Sequence, residues 1–316
     1  MYNASLYIVT VLIWGSTWIA INYQYGVVSE SVSLVYRFGL ASGVLFIYCL
    51  IRGLPLGFSL RAHARFALLA LCLFAFNYYF LYLGQKHINS ALAAIAFSTI
   101  LILNIFNGAW IFKNAITGKI IAGAALGLTG IVTLFWPELQ KTAFADVTMV
   151  GIGLCLLGTV FASFGNMTSI ANQQEKLPIV QSNAWAMGYG ALIMAIVTLL
   201  RGEPFVMDWR PQYLISLLYL AVFGSVIAFG CYLSLLTRIG AQKTSYATIL
   251  FPAVAVVIST FVEGFEWNGY VYTGMLLIVL GNITILYPAK VQKNLREPEQ
   301  ESPILKSEPD ELPLRA

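Results

Sequence analysis

Long apolar stretches alternate with short polar breaks along almost the whole chain. Ten apolar runs fall at approximately 5–24, 33–51, 66–85, 90–112, 120–136, 148–172, 179–200, 213–236, 244–262 and 270–287. Roughly 20 such residues in helical form cross about 30 Å of hydrocarbon. The breaks between them are too short for a separate soluble domain. The pattern therefore predicts an all-α polytopic membrane protein with ten transmembrane helices. Residues 289–316 leave the pattern. They hold Lys290, Lys293 and Arg296, then Glu297, Glu299 and Glu301 among Pro298, Pro303, Pro309 and Pro313. That composition buries too little apolar area to offset chain entropy and predicts a disordered tail. The first run has no Lys or Arg before it, contains Trp14 and Trp18, and lacks an Ala-x-Ala site. It is expected to stay as a helix rather than be removed as a signal peptide.

Composition agrees with the pattern. Of 316 residues, 59% are hydrophobic and only 10% charged, and mean hydropathy is +0.78. A soluble domain carries about 25% charged residues, so the surface here must face mostly lipid. The four cysteines, Cys49, Cys72, Cys155 and Cys231, all lie inside runs with no C-x-x-C pairing. They read as packed thiols, not metal ligands or disulfides.

Charge sets an expected orientation. With the N-terminus in the cytoplasm, the inner segments receive Arg52, Arg61, Arg65, Lys113, Lys119, Lys176, Arg238, Lys243, Lys290, Lys293, Arg296, Lys306 and Arg315. The outer loops receive Lys86, Lys141, Arg201 and Arg210, and Arg37 lies within a run. The positive-inside rule then puts both termini in the cytoplasm. It also accounts for the net charge of +4 without a nucleic-acid partner.

The two halves of the chain repeat each other. "IRGLP" at 51–55 parallels "LRGEP" at 200–204, and "IWGS" at 13–16 falls near "SFGN" at 163–166. At an offset of 151, Ile88–Leu134 lies over Ile239–Ile285, which places Gly123 on Gly274 and Gly130 on Gly281. Five spans per copy is an odd number, so the second copy enters the membrane from the opposite side. The expected units are 1–136, 148–288 and the tail 289–316. Inverted repeats recur in secondary transporters, whose substrate site lies near the midplane between the copies.

"LIWGSTWIAI" in the first run resembles the opening of EamA-domain proteins of the drug/metabolite transporter superfamily. "NSALAAIAFSTILILN" followed by "GKIIAGAALGLTGIVTLF" is similar to the same family. So is its second-half counterpart, "GAQKTSYATILFPAVAVVISTFVEGFEW" followed by "GMLLIVLGNITILY". The resemblance covers residues 5–288. It implies a basket-like fold with helices 1–4 and 6–9 around a central cavity, helices 5 and 10 at the edge, and export of amino acids or other small metabolites. The chain departs from the family at Leu101, opposite Pro252 of the second copy. It also has Phe112, Lys113 and Asn114 where many members carry an acidic residue, whereas Glu263 and Glu266 remain in the second copy.

A carrier needs polar groups at depth, where they are costly unless they face a cavity or a partner. Arg37 stands out, about one turn from the outer end of helix 2, with no Asp or Glu in mid-span to neutralise it. It reads either as a cation for a substrate carboxylate or outer gate, or as a snorkelling side chain whose head reaches the interface. The other candidates for substrate binding are Trp14, Thr17, Asn77, Tyr78 and Asn104 in the first copy. In the second they are Ser163, Asn166, Trp185, Tyr232 and Tyr246. Aromatic walls with a few amides suit a small amphipathic ligand, while interhelical bonding explains any one amide or hydroxyl equally well. Pro252 is a hinge or a fixed bend. Gly39-x-x-x-Gly43 and Gly123-x-x-x-Gly127 permit close helix approach, within the chain or in a weak homodimer. Trp18, Trp136, Tyr23, Tyr25 and Tyr287 read as an interfacial belt, and His63 and His87 as solvated loop residues.

No G-x-x-x-x-G-K-[ST], H-E-x-x-H or G-x-S-x-G motif occurs, so neither ATP-driven transport nor an enzyme is expected. No cofactor or metal is expected either. The partners are a small-molecule substrate and membrane lipid, with the chain a monomer or weak homodimer in the inner membrane. Carriage of another solute class, such as a nucleotide-sugar or lipophilic compound, and a non-transporting scaffold remain the alternatives. The eight acids in 1–288 fall in breaks or at run ends, which predicts transport down a gradient without an obligate proton.

Overall fold

A computed structural model describes residues 2–88, 93, 96–134, 136–137, 140, 146–262 and 267–286. Among these residues every regular element is helical. Six helices are long and apolar enough to cross a membrane. They are α1 (Tyr2–Asn22), α2 (Glu30–Ile51), α3 (Leu60–Gln85), α6 (Asp146–Gln174), α7 (Ile179–Leu200) and α8 (Pro211–Ala241). Shorter apolar helices fill the rest of the order: α4 (Ile100–Phe112), α5 (Gly118–Leu134), α9 (Lys243–Ile258) and α10 (Gly269–Leu286). The chain is a multi-pass membrane protein. The expected tail, Tyr287, and the acids Glu138, Glu263 and Glu266 lie outside the described residues.

Each helix lies within a few residues of its apolar run, and the ends differ for local reasons. α3 starts at Leu60 rather than 66, because the Ser59 side chain caps it by accepting from Ala62 N at 3.3 Å and its first turns carry Arg61, His63 and Arg65 into a polar layer. Pro211 opens α8, where a missing N–H costs nothing. The winding breaks at Gly240, the penultimate residue of α8, at φ 83° and ψ 161°, a conformation open to glycine and not to side-chain-bearing residues. The helix runs through Pro252 without another non-helical residue.

Two helices carry a wide π turn in mid-course, over Ala70–Phe76 in α3 and Leu220–Ile227 in α8. At the offset of 151 the first falls on 221–227. The α2 and α7 ends match as well. Leu54 N bonds Cys49 O at 2.8 Å and Glu203 N bonds Thr198 O at 3.1 Å, around Gly53 (φ 61°) and Gly202 (φ 64°). The α5–α10 contact obeys the same exchange. A Cβ on Gly123 would lie 3.1 Å from Gly281 O, and one on Gly281 2.9 Å from Gly123 O. For Gly130 and Gly274 the corresponding distances are 2.8 and 2.7 Å. Gly123 with Gly281 becomes Gly274 with Gly130 when the halves are swapped. Gly123 and Gly127 are thus spent on internal packing. An added Cβ on Gly39 or Gly43 meets nothing within 4 Å.

Candidate functional site

Six helices converge on a pocket. α1 contributes Trp14, Thr17, Trp18 and Ile21, and α3 contributes Leu73, Asn77, Tyr78, Leu81, Tyr82 and Gln85. The α1 set, and Tyr78, Leu81, Tyr82 and Gln85 of α3, follow i, i+3, i+4, i+7 spacing, so each helix presents one stripe there. α6 adds Ala162 and Asn166, α8 adds Phe229 and Tyr232, and α9 adds Thr248 and Phe251. Ile100 of α4 and Phe97 just before it complete the wall. α2 and α7 supply no lining residue, unlike the arrangement the resemblance implies.

The aromatic part of the wall is tightly interlocked. The Trp14 ring lies 4.7 Å from Phe229, 4.9 Å from Tyr232 and 5.5 Å from Phe251. Its indole N–H donates to Gly224 O at 2.9 Å, inside the π turn of α8. Tyr78 and Phe229, equivalent at the offset of 151, meet at 6.2 Å.

Beneath the pocket, toward the end that carries Lys113, Arg238 and Lys243, lies a polar layer. Asn104 is its centre. Its Nδ2 donates to Ser245 Oγ at 2.6 Å, and its Oδ1 accepts from Ser163 Oγ at 2.8 Å and Asn166 Nδ2 at 3.5 Å. Asn107 Nδ2 reaches Ser163 at 2.8 Å, and Asn166 Nδ2 reaches Tyr232 Oη at 3.1 Å. Side chains of α4, α6, α8 and α9 are joined here.

Arg37 does not snorkel. It is only 1% exposed, donating from Nε to Ser225 Oγ at 3.1 Å and from Nη1 to Tyr82 Oη at 3.3 Å. Its guanidinium lies 4.5 Å from the Tyr78 ring centroid and 5.3 Å from that of Phe38. It therefore sits one side chain behind the pocket wall, tied to two tyrosines that form that wall. No carboxylate pairs with it among the described residues.

Of the residues singled out from sequence, Trp14, Thr17, Asn77, Tyr78, Asn166 and Tyr232 line the pocket, and Asn104 and Ser163 lie directly beneath it. Two fall elsewhere. Trp185 Nε1 donates to Leu56 O at 3.2 Å and its ring meets His63 at 4.7 Å, near the α2–α3 break. Tyr246 points toward α5, donating to Ile120 O at 2.7 Å. His63 is not a solvated loop residue. It is half-buried in the first turn of α3, with Nδ1 2.8 Å from Tyr189 Oη. Trp18 and Tyr25 do not form a belt: Trp18 lines the pocket, and Tyr25 donates to Tyr82 O at 3.2 Å and Gln85 Oε1 at 3.3 Å. Tyr82, Gln85, Thr248 and Phe251 escaped notice in the sequence and Trp18 was read as belt, although extending the stripes from Trp14 and Tyr78 by one to two turns finds Trp18, Tyr82 and Gln85.

The described acids that show their side chains stay at helix ends and are paired. Glu30 meets Lys86 at 2.5 Å, Glu175 meets Arg65 at 2.8 Å, Glu203 meets Arg201 at 2.6 Å and Asp208 meets Arg210 at 2.5 Å. None of these four lines the pocket. Burial pushes the Glu203 carboxyl up, but hydrogen bonds from Ser31, Arg201 and Ser29 outweigh it and hold the group below the usual carboxylate range.

The model of the EamA-like transporter family matches residues 2–136 and again 149–287. Protein PagO of Salmonella typhimurium is 22% identical over 292 residues, covering 92% of this chain and 93% of that protein. The uncharacterized inner membrane transporter YedA of Escherichia coli K12 is 29% identical, covering 88% and 90%. A solved crystal structure superposes with a TM-score of 0.74 at 18% identity, covering 90% of this chain and 96% of its own. That likeness extends the fold. With its sequence matched nearly end to end in two successive copies, the chain is a membrane transporter and belongs to the EamA-like transporter family.

Proposed function

We propose that the chain is a secondary transporter that exports amino acids or related small metabolites across the inner membrane by alternating access. In this reading the six long and four shorter apolar helices make ten spans. They form two inverted five-helix repeats, 1–136 and 148–288, around a central cavity, with both termini in the cytoplasm. The exchange of Gly123–Gly281 with Gly130–Gly274 supports the inverted arrangement. The name of the Escherichia coli relative supports the inner membrane. The solute enters the pocket with its apolar part against Trp14, Phe229, Tyr232 and Phe251 and its carboxylate toward Arg37.

One observation carries the reading: a buried cation with no carboxylate partner among the described residues stands behind the wall of an aromatic pocket. A charge at depth is costly without a partner. A solute carboxylate becomes that partner once Tyr82 yields its hydrogen bond. The direct test profiles the medium of overexpressing and deleted cells for amino acids and small acids, then repeats the flux in proteoliposomes. Accumulation outside overexpressing cells and flux of the same solute in liposomes are expected. No flux of any metabolite that differs between the two media refutes transport.

A further inference from the structure

The pocket is polarised. Near the end of α3 that carries Gln85, the wall offers a donor and a tyrosine tied to a cation. Gln85 Nε2 is buried with no partner, and Tyr82 is held by Arg37. Elsewhere in the wall most donors are already committed. Asn77 Nδ2 donates to Leu73 O at 3.3 Å, and Asn166 Nδ2 donates to Tyr232 and Asn104. The Thr248 hydroxyl donates to Ser245 O at 2.6 Å, and the Trp14 N–H to Gly224 O. One N–H of Asn77 stays uncommitted, and beside it two acceptors are left over. Asn77 Oδ1 and Asn166 Oδ1 are buried with no hydrogen-bond partner, and their residues are 3% and 1% exposed. The orientation of the Asn77 amide follows from its neighbour, because the Leu73 carbonyl accepts only from the NH₂ side.

These two acceptors belong to one seam. α3 and α6 run antiparallel in close contact: a Cβ on Gly158 would lie 2.8 Å from Asn77 O, and one on Gly165 2.7 Å from Leu73 Cβ. Asn166 follows Gly165 and Asn77 faces Gly158, so the two asparagines stand about one to two turns apart along the seam, roughly 6–12 Å. A buried acceptor left unpaired is destabilising. Two such groups in one pocket, whose lining also includes Thr248 of α9, form a place for a donor.

We infer that Asn77 Oδ1, Asn166 Oδ1 and Thr248 Oγ form a subsite for the ammonium or N–H end of the solute, which makes a donor-bearing solute the preferred cargo over a plain carboxylate. The inference rests on the transport reading for its biological sense and on the pocket alone for its chemistry. The ligand lies head to tail, its anionic end toward Arg37 and its donor end on the α3–α6 seam. A ligand with a carboxylate and no donor leaves the two amide oxygens unpaired, and a site built to bond such a group rejects the analogue lacking it.

Three probes of similar shape test this on the purified full chain by ligand-induced thermal shift and equilibrium binding. They are L-leucine, 4-methylpentanoate without the amine, and 3-methylbutylamine without the carboxylate. L-Leucine is expected to bind about tenfold or more tightly than 4-methylpentanoate. Asn77→Leu and Asn166→Leu are expected to weaken L-leucine and 3-methylbutylamine by about tenfold and to leave 4-methylpentanoate unchanged. Asn77→Asp keeps the acceptor and adds charge. It is expected to tighten 3-methylbutylamine, and it stands in should the leucine variants misfold. Equal affinity for L-leucine and 4-methylpentanoate overturns the inference. So does an equal loss of all three probes in the leucine variants, or no binding of any probe by the folded wild-type chain. The expected ranking without flux in proteoliposomes sinks the transport reading and leaves the subsite standing. Flux without the ranking does the reverse.

Discussion

The α5–α10 seam and the pair α1 and α6 treat the exchange of the two halves differently. Across the seam every close approach has its swapped twin, Gly123 on Gly281 and Gly130 on Gly274. The inner pair breaks the rule. A Cβ on Gly15 would lie 2.5 Å from Val254 Cβ of α9, whereas on its counterpart Gly165 it would meet Leu73 of α3. The twin of the first contact, Gly165 on Leu103, is not among the nearest. At these two glycines α1 approaches α9 while α6 approaches α3. A packed seam that is identical under exchange reads the same before and after the halves trade roles. A contact that differs must change when they do. The comparison assigns α5 and α10 to a fixed support and α1 and α6 to the moving parts of the proposed cycle.

The largest expected effect breaks the support. Gly130→Leu forces a side chain against Gly274 O and Ile278 N, both 2.8 Å from the new Cβ. It should cost about 3 kcal/mol or more, backbone being unable to yield, seen as loss of monodisperse protein on size exclusion. Gly43→Leu, with open space around it, should stay within about 0.5 kcal/mol. Next, Arg37→Gln removes the cation and leaves the amide. Transport of carboxylate solutes should fall about 10- to 150-fold, as for loss of a charged hydrogen bond, while a neutral analogue keeps its rate. Equal loss for both assigns Arg37 to gating or folding.

A smaller effect probes the floor beneath the moving helices. Asn104→Ala orphans Ser163, Asn166 and Ser245 partners and should cost about 1–3 kcal/mol in thermal unfolding. Labelling of an introduced cysteine at Ile100 from the basic end should rise with it. An unchanged labelling rate removes the layer from the gate. At the rim the expected effect is slight. The Glu203 carboxyl is held below its usual range in the folded chain, so its stabilising tie to Ser31 and Arg201 is complete at neutral pH. It is lost as pH falls through that lowered value. Melting temperature should drop in acid, and Glu203→Gln should flatten that drop. Last comes an expected absence: a pH gradient at zero membrane potential should equilibrate solute without concentrating it. Uphill accumulation abolished by a protonophore overturns this and makes Glu263 and Glu266 the first residues to change.

Helix order and the repeat were legible because lipid imposes a coarse rule, about 20 apolar residues per span, and because glycine marks close approach. The choice between wall and belt was not. Trp18 and Trp136 look alike in a hydropathy pattern, yet Trp18 is buried against the pocket and Trp136 is 41% exposed. Facing is set by which neighbour a helix meets, and that is long-range information. Trp185 went astray for the same reason: its depth in α7 was read from the run, but its face turns to His63. The unpaired oxygens of Asn77 and Asn166 were beyond reach, since an amide's partners depend on rotamer and on helices far along the chain.

The paired π turns have a consequence for how this pocket can change over generations. Each such turn holds one residue more than the α-helix on either side of it. Deleting a single residue between 70 and 76 would restore ordinary winding and turn everything beyond it by about 100°. Asn77, Tyr78 and Tyr82 would then leave the wall together, and a different set of side chains would enter it. A one-residue deletion in the α8 turn would do the same to Phe229 and Tyr232. The two bulges are register pegs: moving either one redraws half of the pocket's chemistry without altering a single side chain that lines it.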